Sequence, residues 1–283
     1  MEVKKIFVVG AGTMGSGIAQ IAATSGYKVC MYDIAEQFVQ RGYDRIKSNI
    51  EKMASKGKMT GEAAASALAN LSTTLSLEDA KDADLVIEAA VEDEPKKAEI
   101  FKQLDAVCKP DAILASNTSS IPITQIGSAT KRPEQVVGMH FFNPAPVMKL
   151  VEIIRGLKTV DSTVAPVKAV AEKMGKVGVV CKDSPGFVVN RLLDPMLNEA
   201  AFLVYENVST VEEIDLAVVN GLNHPMGPLK LADLIGLDII LAVTEVLYRQ
   251  FADPKYRPCP LLKTMVRAGE LGVKTKKGFY TYE

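Results

Sequence analysis

"KKIFVVGAGTMGSGIAQIAATSGYKVCMYD", residues 4–33, decides the fold. An apolar, β-branched run at Lys5–Val9 stops at Gly10, and Gly10, Gly12 and Gly15 fall in GxGxxG spacing. A helical pattern, Thr13–Ser25, follows at once, and a second apolar run, Lys28–Tyr32, closes on Asp33. The three glycines have separate tasks: a tight turn, a close backbone approach to a pyrophosphate, and close packing of helix on strand. The N–H groups at the start of the following helix carry a partial positive charge suited to phosphates. A lone GxGxxG is a weak sign. Strand, glycines, helix, strand and terminal carboxylate together read as a dinucleotide site, in which Asp33 accepts hydrogen bonds from the adenosine ribose. Taken alone, Asp33 is a plain strand-end turn residue. Its charge repels a 2′-phosphate and no arginine directly follows it, so NAD is expected rather than NADP.

Outward from this stretch, short β-branched runs keep alternating with helical windows. Further strands are expected at Leu85–Ala89, Ala112–Ser116, Val136–His140, Leu150–Ile154 and Val177–Cys181, and helices at Glu36–Lys56, Pro95–Val107 and Thr163–Met174. That alternation predicts an α/β, Rossmann-type doubly wound and mostly parallel sheet. After "KDSPGF" (182–187) strand-like runs vanish and helical patterns continue to the end. The boundary is therefore placed at Ser184-Pro185-Gly186, dividing a dinucleotide-binding domain (1–184) from an all-α C-terminal domain (185–283). Asp183 or Ser184 is expected to cap the next helix. The window Leu229–Phe251, "LKLADLIGLDIILAVTEVLYRQF", is apolar around most of its circumference and reads as one helix covered on several sides. A second copy of the chain is the expected cover, giving a homodimer through the helical domain. A central helix in a monomeric bundle is the simpler arrangement.

Apolar residues make up 48% and charged residues 24% of the 283, an ordinary globular usage. Lys+Arg (33) nearly balance Asp+Glu (34), so the net charge of −1 calls for neither nucleic acid nor an anionic membrane surface. Cys30, Cys108, Cys181 and Cys259 are scattered, with no CxxC and no histidine nearby, which suggests reduced thiols, a cytoplasmic protein and no metal. The apolar run of "MEVKKIFVVGAG" stops too soon for a signal peptide, and no stretch approaches the roughly 18 uncharged residues of a membrane span.

The chemistry is expected at "HFFNPAPVMKLVEI", residues 140–153, which holds one of only two histidines. His140 ends a strand on the side of the sheet where ligands of such folds bind. Glu152 lies on the adjoining strand, and a turn at Asn143–Pro146 would fold it back beside the ring. Either group would be costly to bury alone, and each is the other's natural partner. A carboxylate on one imidazole nitrogen fixes the tautomer and stabilises the imidazolium, so the other nitrogen can act as base. A purely structural pair has the same pattern; the cofactor signature favours catalysis. Ser119, after the Ala112–Ser116 strand, falls at the same sheet edge as His140. There it could donate to a substrate oxygen, hold a ribose, or simply cap its loop. Asn190, at the start of the first C-terminal helix, reads alone as a cap or surface residue. "KMASKGKM" (52–59) reads alone as a solvated helix end, Lys97 and Lys274 as surface lysines, and His224 in "NHPMGP" as structural.

"VVGAGTMGSGIAQ", "LASNTSS", "GMHFFNPAPVMKLVEI", "GFVVNRLL" and "NHPMGPLKLADLIGLD" resemble the L-3-hydroxyacyl-CoA dehydrogenase family, in one register from residue 4 to the terminal "GFYTY". In length the chain is similar to the bacterial members that act on 3-hydroxybutyryl-CoA. The resemblance implies NAD(H)-dependent interconversion of (S)-3-hydroxybutanoyl-CoA and acetoacetyl-CoA in fatty-acid and butanoate metabolism. It implies that His140 is the base and Glu152 its orienting partner, with Ser119 and Asn190 beside the reacting carbon. For the cofactor it implies Gly10, Ala11, Gly12, Thr13, Met14, Gly15, Asp33, Glu92, Lys97, Ser119, Asn143 and Lys274. For the acyl-CoA thioester it implies Lys56. A dehydrogenase of free 3-hydroxy acids or sugar acids, or a non-catalytic NAD-binding protein, would share the scaffold. In "KTKKGFY" Lys276 replaces a family glycine and Val273 a frequent arginine. A loop that needs a positive φ at 276 would then have to rearrange, which makes Lys274 the weakest of these correspondences.

Overall fold

The computed structural model describes residues 2–283. β1 (Lys5–Val9) and β2 (Lys28–Tyr32) lie where the two apolar runs predict them, joined by α1 (Thr13–Thr24). α2 (Glu36–Ser55) and α3 (Gly61–Ala69) lead to β3 (Leu71–Thr74), and the chain then returns across β1 to β4 (Leu85–Glu88). α4 (Glu94–Val107), β5 (Ile113–Ser116), α5 (Ile123–Ser128) and β6 (Val136–Phe141) continue outward on that side. β7 (Leu150–Arg155), α6 (Asp161–Lys173) and β8 (Val177–Lys182) complete an eight-stranded sheet in the order β3-β2-β1-β4-β5-β6-β7-β8. Neighbours are parallel except β6 and β7, which form an antiparallel pair. The fold class is thus the expected doubly wound α/β sheet followed by a helical region.

The buried strands β1, β4, β5 and β6 are nearly continuous apolar runs, as strands covered on both faces must be. Val8, Met31, Ile87, Ala115, Met139 and Ile153 share one core with Ile18, Ala22, Ile46 and Val167 from the helices. Strand order reverses at β1 and β4, so the loops after these two strands leave the crevice where such sheets bind ligands.

Two compact units result, one up to Ser184 and one from Pro185 to Glu283. The second unit consists of α7 (Val189–Tyr205), α8 (Val211–Gly221), α9 (Pro228–Ile235), α10 (Leu237–Phe251) and α11 (Pro260–Arg267), with short 3-10 turns. The N-cap position of α7 falls beyond both Asp183 and Ser184, at Val188. Asp183 instead accepts a hydrogen bond from the Thr124 N–H at 2.7 Å. The window 229–251 is two helices rather than one, because Gly236 at φ 109° breaks the chain between α9 and α10. The C-terminal tail is tied down by carboxylates. Asp233 accepts from the N–H groups of Phe279 and Tyr280 and from the Tyr282 hydroxyl, and Asp215 from the Tyr280 hydroxyl.

Candidate active site

The loop after β1 is held in shape by the carboxylate at the end of β2. Asp33 accepts the Ala11 N–H on Oδ2 and the Ile34 N–H on Oδ1, each at 2.7 Å. One acceptor direction on each oxygen remains for ribose hydroxyls. A Cβ on Gly15 would lie 1.9 Å from the Gly10 carbonyl oxygen, so only glycine lets α1 begin this close to the turn. A Cβ on Gly12 would meet nothing within 4 Å, and no side chain caps α1. The first-turn N–H groups of Thr13, which is exposed, and Met14, which is half-buried, have no cap, and a dinucleotide pyrophosphate fits there. Arg45 of α2 reaches the same helix end, with Nη1 3.2 Å from Ser16 Oγ and 3.4 Å from Thr13 Oγ1.

Beyond β4 lies a buried charge cluster. Lys97, in the first turns of α4, is 1% exposed, and its ammonium sits 2.7 Å from Glu88 Oε1 and 3.4 Å from Glu92 Oε2. Glu88 also accepts the Ala90 N–H at 2.7 Å and the Ser116 hydroxyl at 2.6 Å. Glu92 Oε1 receives the Thr118 hydroxyl at 2.6 Å, the Ser119 N–H at 2.8 Å and the Ser120 N–H at 3.0 Å. The Ser119 and Ser120 hydroxyls also lie within 3.2 Å of that oxygen. Burial pushes the Glu92 carboxyl up, but the Lys97 charge and these donors outweigh it and hold it below the usual carboxylate range.

His140 and Glu152 are direct cross-strand partners in the antiparallel β6–β7 register. Both are buried, and Nδ1 lies 2.8 Å from Glu152 Oε2. The Phe142 ring packs against the imidazole at 4.6 Å between centroids. Asn117 fixes the end of β6 by accepting the Phe141 N–H at 2.8 Å. The connecting loop contains a cis Asn143–Pro144 peptide and is pinned by Lys176, whose ammonium donates to the Ala145 and Met148 carbonyls at 2.7 Å each. Asn143 is exposed on this loop, which borders a groove of about 350 Å³ also lined by Gln20, Arg45, Lys52, Lys56 and Lys58.

Residues 5–184 match the family model for the 3-hydroxyacyl-CoA dehydrogenase NAD binding domain, and residues 186–282 match that for the C-terminal domain. The chain belongs to the 3-hydroxyacyl-CoA dehydrogenase family. It is 54% identical over 283 residues to a probable 3-hydroxybutyryl-CoA dehydrogenase of Bacillus subtilis, covering 100% of this chain and 99% of that one. The crystal structure of (S)-3-hydroxybutyryl-CoA dehydrogenase PaaH1 from Ralstonia eutropha superposes with a TM-score of 0.97 at 50% identity, covering both chains fully. A 3-hydroxyadipyl-CoA dehydrogenase of Escherichia coli is 41% identical; the match covers 100% of this chain and 60% of that one.

In this dehydrogenase-family chain the expected first-unit residues gather at the C-terminal edge of one sheet, with two changes of reading. Lys97 is not a surface lysine: it is buried behind Glu92, which leaves it little surface for direct contact with a ligand. Ser119 directs both its N–H and its hydroxyl at Glu92. Lys56 is exposed at the C-cap of α2, between Lys52 and Lys58. In the second unit Asn190 is half-buried in the first turn of α7, and His224 is half-buried between α8 and α9. Lys274 pairs with Asp238 in the first turn of α10. Lys276 takes a positive φ of 61° without glycine. The loop is closed around that residue by bonds from the Tyr282 N–H to the Lys276 carbonyl and from the Gly272 N–H to the Lys277 carbonyl. Glu88, Ser116, Asn117, Arg45 and Lys176 were not singled out from the sequence. A glutamate ending the apolar run "LVIE" was the one available signal, since a carboxylate there requires a cation.

Proposed function

We propose that this chain interconverts (S)-3-hydroxybutanoyl-CoA and acetoacetyl-CoA with NAD(H), in fatty-acid or butanoate metabolism in the cytoplasm. The observation that carries this reading is the buried His140–Glu152 pair, 2.8 Å apart, on the sheet edge that also bears the glycine turn and Asp33. Bound NAD supplies the hydride acceptor at its nicotinamide ring. The residues around it bind, orient and move the proton. Gly10 to Gly15 receive the pyrophosphate through the N–H groups of Thr13 and Met14, and Asp33 receives the adenosine ribose. Glu92, Ser119, Asn143 and Lys274 serve the rest of the cofactor, with Lys97 acting through Glu92.

His140 takes the substrate hydroxyl proton on Nε2 as the carbon is oxidised, and Glu152 stabilises the imidazolium through Nδ1–H. Ser119 and Asn190 stand beside the reacting carbon, and Lys56 with its neighbouring lysines addresses the CoA phosphates. The second unit serves substrate binding and self-association. Leu234 (58% exposed) and Ile239 (49%), on α9 and α10, supply apolar surface for a homodimer. Sedimentation of the wild type is expected to give a dimer, and Ile239→Asp a monomer; a wild-type monomer at micromolar protein refutes the association.

The lysine-lined groove favours a CoA thioester over a free hydroxy acid. NADH oxidation should proceed with acetoacetyl-CoA and fail with free acetoacetate. Equal turnover of the free acid would move the reading to a hydroxy-acid dehydrogenase, and turnover of neither to a non-catalytic NAD-binding protein.

A further inference from the structure

One ammonium links four segments of the first unit. Lys97 of α4 is bonded to Glu88 at the end of β4 and sits beside Glu92 of the following loop. Glu88 in turn holds Ser116 at the end of β5, whose successors Thr118, Ser119 and Ser120 all converge on Glu92. The residue between them, Asn117, holds the backbone of Phe141, next to His140. Glu88 and Lys97 are 0% and 1% exposed. A buried ion pair contributes little net stability compared with apolar residues of the same size, so its use lies in fixing geometry.

An ionised carboxylate is acceptor-only. The groups around Glu92 Oε1 face it as donors, the Ser119 hydroxyl at 3.2 Å with the longest of these contacts. With that proton committed, Ser119 Oγ offers a ligand only lone pairs. Its natural partner in that state is a donor, such as a ribose hydroxyl or a carboxamide N–H.

We propose that Glu88 and Lys97 are positioning residues: they keep Glu92 in place as a carboxylate and thereby set the 118–120 loop so that Ser119 accepts a hydrogen bond from the cofactor. This deepens the NAD-dependent reading above and rests on it.

The test uses the full-length chain and direct NADH titration by nicotinamide fluorescence, which needs no turnover. The Glu88→Gln/Lys97→Met double variant replaces the ion pair with neutral groups of similar shape. It should weaken NADH binding about tenfold or more, while KM for acetoacetyl-CoA changes less than about threefold. Binding should also weaken further on acidification, because Glu92 has lost the cation that keeps it ionised; the wild type should show less of this. Should the double variant fail to fold, Glu92→Gln, at a partly exposed position, probes the same link. Its amide can donate to Ser119 Oγ and so occupy the lone pairs, and NADH binding should weaken similarly. A folded variant of either kind that binds NADH like the wild type across pH overturns the proposal. Wild-type NADH binding without acetoacetyl-CoA turnover would instead overturn the substrate reading and leave this one standing.

Discussion

Replacing Glu152 by glutamine removes one charge from the buried pair while keeping the shape of the side chain. The carboxylate and the ring charge that forms on His140 are separated by a 2.8 Å contact, so the charge centres lie about 4 Å apart. At an effective dielectric of about 20 their attraction is about 4 kcal/mol. The glutamine oxygen still accepts the Nδ1–H bond, which returns about 1 kcal/mol. About 3 kcal/mol of imidazolium stabilisation is lost, and kcat should fall on the order of 10²-fold. NADH binding should change little, since neither residue is assigned to the cofactor. The assay is steady-state NADH oxidation with acetoacetyl-CoA, paired with NADH titration and thermal melting to establish that the variant is folded. His140→Ala should cost at least as much, and the double variant no more than His140→Ala, because the two groups act as a unit. A folded Glu152→Gln enzyme within threefold of the wild-type kcat refutes the assignment.

Asp33 should make the enzyme prefer NADH over NADPH by roughly a hundredfold, since a 2′-phosphate loses a charge-assisted bond and meets a like charge. Asp33→Ser should erode that preference, and comparable kcat/KM with both cofactors in the wild type refutes it. Asp194, buried in α7, has no hydrogen bond or ion pair to another described residue, and burial pushes its carboxyl up to about 7. The folded state then holds a proton that the unfolded chain releases near pH 4, so stability falls as pH rises from about 4 to about 7, by on the order of 4 kcal/mol. Asp194→Leu should therefore raise Tm strongly at pH 8 and weakly at pH 4.5; equal shifts at the two pH values refute the burial argument. Lys276→Gly should relieve the left-handed backbone strain and raise Tm by about 1–3 °C, the gain being partly offset by the freer unfolded chain.

Much of this architecture was legible because strong local patterns and the sheet agree. β1 and β2 match the sequence reading residue for residue, as apolar runs bounded by glycine and aspartate leave little choice. β3 escaped notice: "LSTT" is a four-residue edge strand with one buried position and no apolar alternation. α3, "GEAAASALA", reads as an alanine-rich patch because its buried stripe is only Ala64 and Ala67. The break at Gly236 lay inside a window whose apolar content suggested continuity. In the candidate site, His140 and Glu152 were readable because polar residues in apolar strands demand partners. The burial of Lys97 was not, since a lysine on an amphipathic helix is ordinarily solvated and only the fold brings Glu88 beneath it.

The antiparallel turn of β6 into β7 has an evolutionary consequence. Because side chains alternate along a strand, the facing of His140 and Glu152 is set by pairing parity within one hairpin and not by the meeting of distant segments. The connecting segment, 142–149, need only preserve that parity. Its Asn143–Val147 stretch borders the lysine-lined groove, so groove-lining residues and the His140–Glu152 pair share a hairpin under separable constraints. On the reading proposed above, such a module could drift from one acyl group to another while its acid–base pair stays untouched. It is therefore a natural unit to transplant, about fourteen residues from His140 to Ile153, when grafting this activity onto another doubly wound sheet.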